Sequence, residues 1–171
     1  MEQMWALDYK HKKVMLKYTN IGIVFQEIPD EVTLSINISN CPCHCPGCHS
    51  SYLWEDIGKA LDYIAIDSLI NTYGEDITCL CLMGGDAEPE NINKLAEYTK
   101  NKYPDIKVGW YSGKAKLSEK IDANNFDYIK IGPYIKSLGG LKSQSTNQRL
   151  YKKTTNGHYI DITKLFWKEE A

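Results

Sequence analysis

The chain has 171 residues, 43% of them hydrophobic and 25% charged, with a formal net charge of −2. That length suits one domain with a real core, and the composition is that of a globular protein; the near-balanced charge argues against the broad basic footprint of a nucleic-acid binder. No run approaches the ~18 apolar residues of a membrane-spanning helix, and residues 1–13 alternate charge with aromatics where a signal peptide would be apolar, so no membrane partner and a cytoplasmic location are expected. In a reducing compartment the six cysteines read as metal or redox chemistry, not as three disulfides.

Residues 1–31 read as an N-terminal extension with strands at 14–16 and 21–25, and 32–131 as the core of a single domain. Val32 to Ile38 alternates with period two, placing Val32, Leu34, Ile36 and Ile38 on one face. This strand runs directly into Cys41-Pro42-Cys43-His44-Cys45-Pro46-Gly47-Cys48-His49. An apolar knot, Tyr52-Leu53-Trp54, follows, then a helix over 63–73 with Asp62 as N-cap and Ile66, Leu69, Ile70 and Tyr73 on one face. The near-continuous apolar run 77–83 predicts a strand covered on both faces and ends in Gly84-Gly85-Asp86. A helix over 89–103 closes before Pro104. Strands at 106–111 and 128–131 flank a short helix at 117–123. Residues 132–171, rich in Gly, Ser, Thr, Asn and Lys, read as an irregular C-terminal segment.

Strand-helix alternation predicts an α/β fold with a mostly parallel sheet, in which ligands gather at the carboxyl ends of the strands. The cysteine loop, Gly84-Gly85-Asp86 and Ser112-Gly113 all fall at such ends. Cys41, Cys45 and Cys48, spaced by three residues and then two, suit three thiolates on a four-iron cluster with one iron left open for a substrate or cofactor. Zinc is the rival, since Cys43, His44 and His49 add ligands and a binding module without catalysis would result; no second ligand pair follows to close a structural zinc site. Cys79 and Cys81 alternate in a buried strand, where cysteine commonly serves as a small hydrophobe. Two glycines let a ligand approach the backbone, and Asp86 can accept from an ammonium group. Lys130 and His158 read as a solvated lysine and a loop histidine.

The Cys-x3-Cys-x2-Cys loop followed by a Gly-Gly-acid loop resembles the radical S-adenosylmethionine superfamily. Within it, Cys45-Pro46-Gly47-Cys48, Met83-Gly84-Gly85-Asp86, Trp110-Tyr111-Ser112-Gly113 and Ser145-Thr146-Asn147-Gln148-Arg149 resemble the activating proteins of anaerobic, class III ribonucleotide reductase, over about residues 32–151. The resemblance implies a partial (βα) barrel in which Cys41, Cys45 and Cys48 hold a 4Fe-4S cluster whose open iron chelates S-adenosylmethionine. Met83, Gly84, Gly85, Asp86, His49, Tyr111 and Ser112 would line the cofactor, with no catalytic side chain beyond cluster and cofactor. An electron from flavodoxin or ferredoxin would cleave the sulfonium, and the resulting 5′-deoxyadenosyl radical would take a hydrogen from a glycine of the reductase. Another glycyl-radical enzyme or a small molecule is the alternative target. Gly47 stands where many members place an aromatic, Ile131-Gly132 replaces an Asp-Gly pair, and Gln26-Glu27-Ile28-Pro29 lies near where a glycine-rich segment is absent, features of a divergent branch. Cys43 occupies a variable position and reads as a bystander.

Overall fold

The computed structural model describes residues 16–167. The expected strand positions Val14 and Met15 lie outside them. The strands are β1 (Lys17–Val24), β2 (Thr33–Ile38), β3 (Lys59–Ala60), β4 (Cys79–Met83), β5 (Lys107–Tyr111), β6 (Tyr128–Ile131), β7 (Arg149–Lys153) and β8 (Tyr159–Asp161). They form one sheet in the order β3-β1-β2-β4-β5-β6-β7-β8. Two α-helices interrupt them, α1 (Tyr63–Tyr73) and α2 (Pro89–Lys102). As its sequence suggests, α1 is capped by Asp62, whose side chain accepts the Ala65 N–H at 2.9 Å; α2 opens on Pro89, whose missing N–H costs nothing in a first turn.

The partial (βα) barrel with a mostly parallel sheet does not form. Parallel pairing is confined to β2–β4, β4–β5 and β5–β6, while β1–β2, β1–β3, β6–β7 and β7–β8 are antiparallel. A barrel needs a covering helix after each strand and a closing pair of edges. Here only the crossovers from β2 to β4 and from β4 to β5 carry a helix. On either side antiparallel pairing takes over, and the sheet stays open at β3 and β8. The helix expected over 117–123 is replaced by turns and a 3-10 turn at Ala123–Asn125. Leu117 is exposed and Ile121 is the one buried residue of that stretch, so a helix there would have no apolar face to bury. The strand expected at 21–25 is the second half of a longer β1 that starts at Lys17 and stops before exposed Phe25. Nor is 132–167 irregular throughout, since β7, β8 and a 3-10 turn at Thr163–Trp167 lie in it. Among the described residues no helix is long and apolar enough to cross a membrane.

The two faces of the sheet are covered differently. Leu34, Ile36, Ile38, Leu80, Leu82, Val108, Trp110 and Ile129 pack against Ile66, Leu69 and Ile70 of α1 and Ile92, Leu95 and Ala96 of α2. Each fully buried aliphatic side chain here contributes about 1.5–3 kcal/mol of transfer free energy. The opposite face carries Cys79, Cys81 and Tyr128, and among the described residues no α-helix covers it. Ile28, Leu150 and Ile162 pack there instead, flanked by Leu141 and Phe166. Gly109 makes room for this strap, since a Cβ on it would lie 2.8 Å from Ile28 Cδ1 and 3.1 Å from Cys81 Sγ. Cys79 and Cys81 are therefore packing residues, their thiols pushed well above the usual range by burial.

Candidate metal centre

Because β2, β4 and β5 are parallel neighbours, the loops at their carboxyl ends share one edge of the sheet. The cysteine loop leaves β2 through Ser39, whose N–H donates to the Lys17 carbonyl at 2.9 Å and whose hydroxyl donates to that of Ile57 at 2.5 Å. Asn40 then turns left-handed at φ 59°. The N–H groups of Asn40 and Cys41 donate to the carbonyls of Glu55 and Leu53 at 3.0 and 2.9 Å. The expected apolar knot is thus a 3-10 turn, Ser51–Trp54, that clasps the loop with Leu53 buried beneath it. Two further left-handed residues, His44 at φ 44° and Gly47 at φ 78°, fold the loop back on itself, and the Cys48 N–H donates to the Cys45 carbonyl at 3.0 Å. His44 stacks on Trp54 with centroids 4.8 Å apart, and His49 meets the ring of Tyr134 at 5.7 Å.

Cys41, Cys43, Cys45 and Cys48 are all free and half-buried. Among the described residues no three His, Cys, Asp or Glu side chains converge closely enough to hold a single metal ion; the thiolates of a cubane attach to separate irons and need not converge on a point. The Ser50 N–H already donates to Cys48 Sγ at 3.4 Å, the kind of contact that stabilises a ligating sulfur. Three half-buried thiols on a clasped, left-turning loop, one holding such a bond, are a donor set that fits an iron-sulfur cluster.

The second loop lies against the first. Gly84, at φ 102°, brings its backbone so close to β2 that a Cβ would sit 3.1 Å from the Ile38 carbonyl oxygen; at Gly85, φ 86°, a Cβ would sit 2.4 Å from Ile92 Cδ1. Both conformations favour glycine. Gly84 is held from β5, its N–H donating to the Tyr111 carbonyl and its own carbonyl accepting from Trp110 Nε1 at 2.8 Å. Met83 is half-buried with its sulfur 3.5 Å from Cys81 Sγ. Asp86 accepts from the Ser112 hydroxyl at one oxygen and from the Gly113 N–H, at 2.8 Å, at the other. Its carboxylate therefore staples the β4 and β5 loops together. Cys43 completes the junction: its Sγ lies 4.0 Å from Asp86 Oδ2 and 2.8 Å from where a Gly113 Cβ would be. Burial, reinforced by Asp86 and Cys41, pushes the Cys43 thiol up to about 12.

The structure thus brings Asp86 and Ser112 together with the cysteine loop, holds Gly84 against Ile38 at the end of β2, and seats His49 on Tyr134. Tyr111 is different. It stands on the helix-free face and donates its hydroxyl to the Glu27 carbonyl of the strap, where burial raises its pKa well above the ordinary value. His158 is exposed, as expected of a loop histidine. Lys130 is the residue misread from sequence. It is 8% exposed, and its ammonium donates to the Ser112 and Gly132 carbonyls at 3.1 and 2.8 Å. Burial lowers its pKa to about 8 against the attraction of Asp86, Cys45, Cys43 and Cys41. The available signal was its place between Ile129 and Ile131 in a strand with Tyr128 two positions before it on the same face. A pocket of about 440 Å³ opens beside this junction, lined by Asp86, Pro89, Trp110, Ser112, Lys114 and Lys116 among others, a volume in the range of small-molecule sites.

No curated protein and no solved structure matches the chain. The model of one family, described as the 4Fe-4S single cluster domain, matches residues 31–151, a span that contains the cysteine loop, both neighbouring loops and Lys130. The chain belongs to the 4Fe-4S single cluster domain family.

Proposed function

We propose that this chain is a radical S-adenosylmethionine activase that places a glycyl radical on an anaerobic ribonucleotide reductase, with Cys41, Cys45 and Cys48 as cluster ligands and flavodoxin or ferredoxin as electron donor. The family is one found in radical S-adenosylmethionine proteins. The observation that carries the reading is the close packing of the cysteine loop on the Gly84-Gly85-Asp86 and Ser112-Gly113 loops. No barrel is required for this, because three parallel neighbours suffice to align the loops.

Bound there, the cluster and S-adenosylmethionine would supply reductive cleavage of the sulfonium by one electron. The chain's own residues bind and orient. Gly84 and Gly85 remove side-chain bulk where an amino acid would approach the backbone. Asp86 has two protein donors, and a carboxylate offers about four acceptor positions, so it retains capacity for an ammonium group. Cys43 is turned toward Asp86 and Gly113, which suits a place at the loop junction outside the three-cysteine ligand set.

Anaerobic reconstitution with iron and sulfide, followed by S-adenosylmethionine and a strong reductant, tests the reading. The expected product is 5′-deoxyadenosine in at least stoichiometric amount. Its absence with an intact four-iron cluster overturns the radical assignment. Adding the reductase should then give a glycyl-radical signal in electron paramagnetic resonance; its absence, with 5′-deoxyadenosine still formed, would redirect the target.

A further inference from the structure

Among the described residues Lys130 is the one lysine or arginine that is buried. It shares the helix-free face with Tyr128, and its ammonium lies 5.9 Å from the centroid of the Tyr111 ring. Its two carbonyl partners, on Ser112 and Gly132, belong to the ends of β5 and β6. The first is in the loop that contacts Cys43 and binds Asp86. A neutral amide could join two carbonyls without the several kcal/mol that burying a charge costs. A cation is favoured only where negative charge lies close by. The carboxylate that supplies it is Asp86, which binds Ser112 and Gly113 in that same loop, and the cysteine loop reaches the junction through Cys43.

Reduction adds one negative charge to an iron-sulfur cluster, and cluster potentials respond to nearby charge, hydrogen bonds and exposure. We infer that Lys130 is a positioning residue whose fixed positive charge raises the reduction potential of the cluster held by the cysteine loop, easing entry of the electron. This rests on Cys41, Cys45 and Cys48 being the ligands. Asp86 acts in the opposite sense, but it is less deeply buried than Lys130, and a more exposed charge is more strongly screened.

The test is an anaerobic potentiometric titration of reconstituted wild type, Lys130→Met, Lys130→Gln and Lys152→Met, read by the resonance of the reduced cluster and by iron content. Lys152, a partly buried lysine near the ring of Tyr128 on β7, is the control. At a fixed potential near the wild-type midpoint, the reduced-to-oxidised ratio should fall about tenfold in the Met and Gln variants, a one-electron shift of about 59 mV, with iron content unchanged. The Lys152→Met ratio should stay within twofold of wild type. If Met loses iron, Gln decides, because its amide can still donate to one of the carbonyls. A Gln variant with full iron and a wild-type ratio overturns the inference. So does one that loses iron while its circular dichroism is intact, since Lys130 would then be a scaffold. A wild-type chain that takes up no four-iron cluster overturns the ligand assignment as well.

Discussion

The two ends of the parallel strands each bury a charge, and they treat it in opposite ways. At the amino end Glu31, its side chain 2% exposed, accepts from the Tyr128 hydroxyl at 2.6 Å, from the Thr78 hydroxyl at 2.5 Å and from Lys107. Its negative charge is met within the scaffold. At the carboxyl end Lys130 has, among the described residues, two backbone carbonyls as hydrogen-bond partners, and the nearest compensating carboxylate, Asp86, lies in a neighbouring loop. The first end is finished without a ligand. The second meets its charge at a distance, across loops that converge on one edge of the sheet.

The comparison breaks most visibly at the cysteines. Cys41→Ala, Cys45→Ala and Cys48→Ala should each abolish the four-iron cluster, measured as iron content and visible absorbance, while Cys43→Ala keeps it; loss of the cluster in Cys43→Ala would show that the ligand set is wrong. At the other end, Glu31→Ala leaves the buried Tyr128 hydroxyl without its acceptor and should cost about 2–3 kcal/mol in denaturant unfolding, with no change in cluster potential. A smaller loss follows at Gly85, where Gly85→Ala forces a left-handed alanine against Ile92 and should destabilise by about 1–2 kcal/mol.

The pH dependence sharpens the contrast further. Burial alone would raise the Glu31 pKa, but hydrogen bonds from Lys107, Thr78 and Tyr128 outweigh it and leave it lowered from 4.5. A depressed carboxylate contributes stability that is present above its unfolded pKa and lost as pH falls through the folded value. Unfolding midpoints should therefore decline below about pH 4.5 in wild type, and Glu31→Gln should flatten that decline. An equal slope in the variant would mean that other carboxylates carry it.

Much of the carboxyl end was legible in sequence because its signals are local. Asp62 marks the start of α1, the alternation from Val32 to Ile38 marks β2, and glycine pairs mark the turns that follow strands. What misled was the step from helical crossovers to a barrel, since a sheet's edges are set by the strands that lack helices. The β7–β8 hairpin had a signal of its own, Asn156-Gly157 between two short strands, with Gly157 at φ 80°. Ile28 had none. It sits in a polar stretch and is buried only because Gly109, far along the chain, leaves a space for it. Lys130 was misjudged for a related reason: residue type favours solvent, and only the folded edge shows what surrounds it.

The clasp on the cysteine loop has a consequence for the order of assembly. Its bond from Cys41 to Leu53 joins residues 12 positions apart in sequence, whereas the pairing of Thr33 with Cys79 joins residues 46 apart. With closure entropy growing as the logarithm of loop length, the clasp is cheaper to close by about 1 kcal/mol. Disruption that separates the strand ends can therefore precede opening of the loop, and a chain that has lost its sheet edge can still keep its thiols gathered.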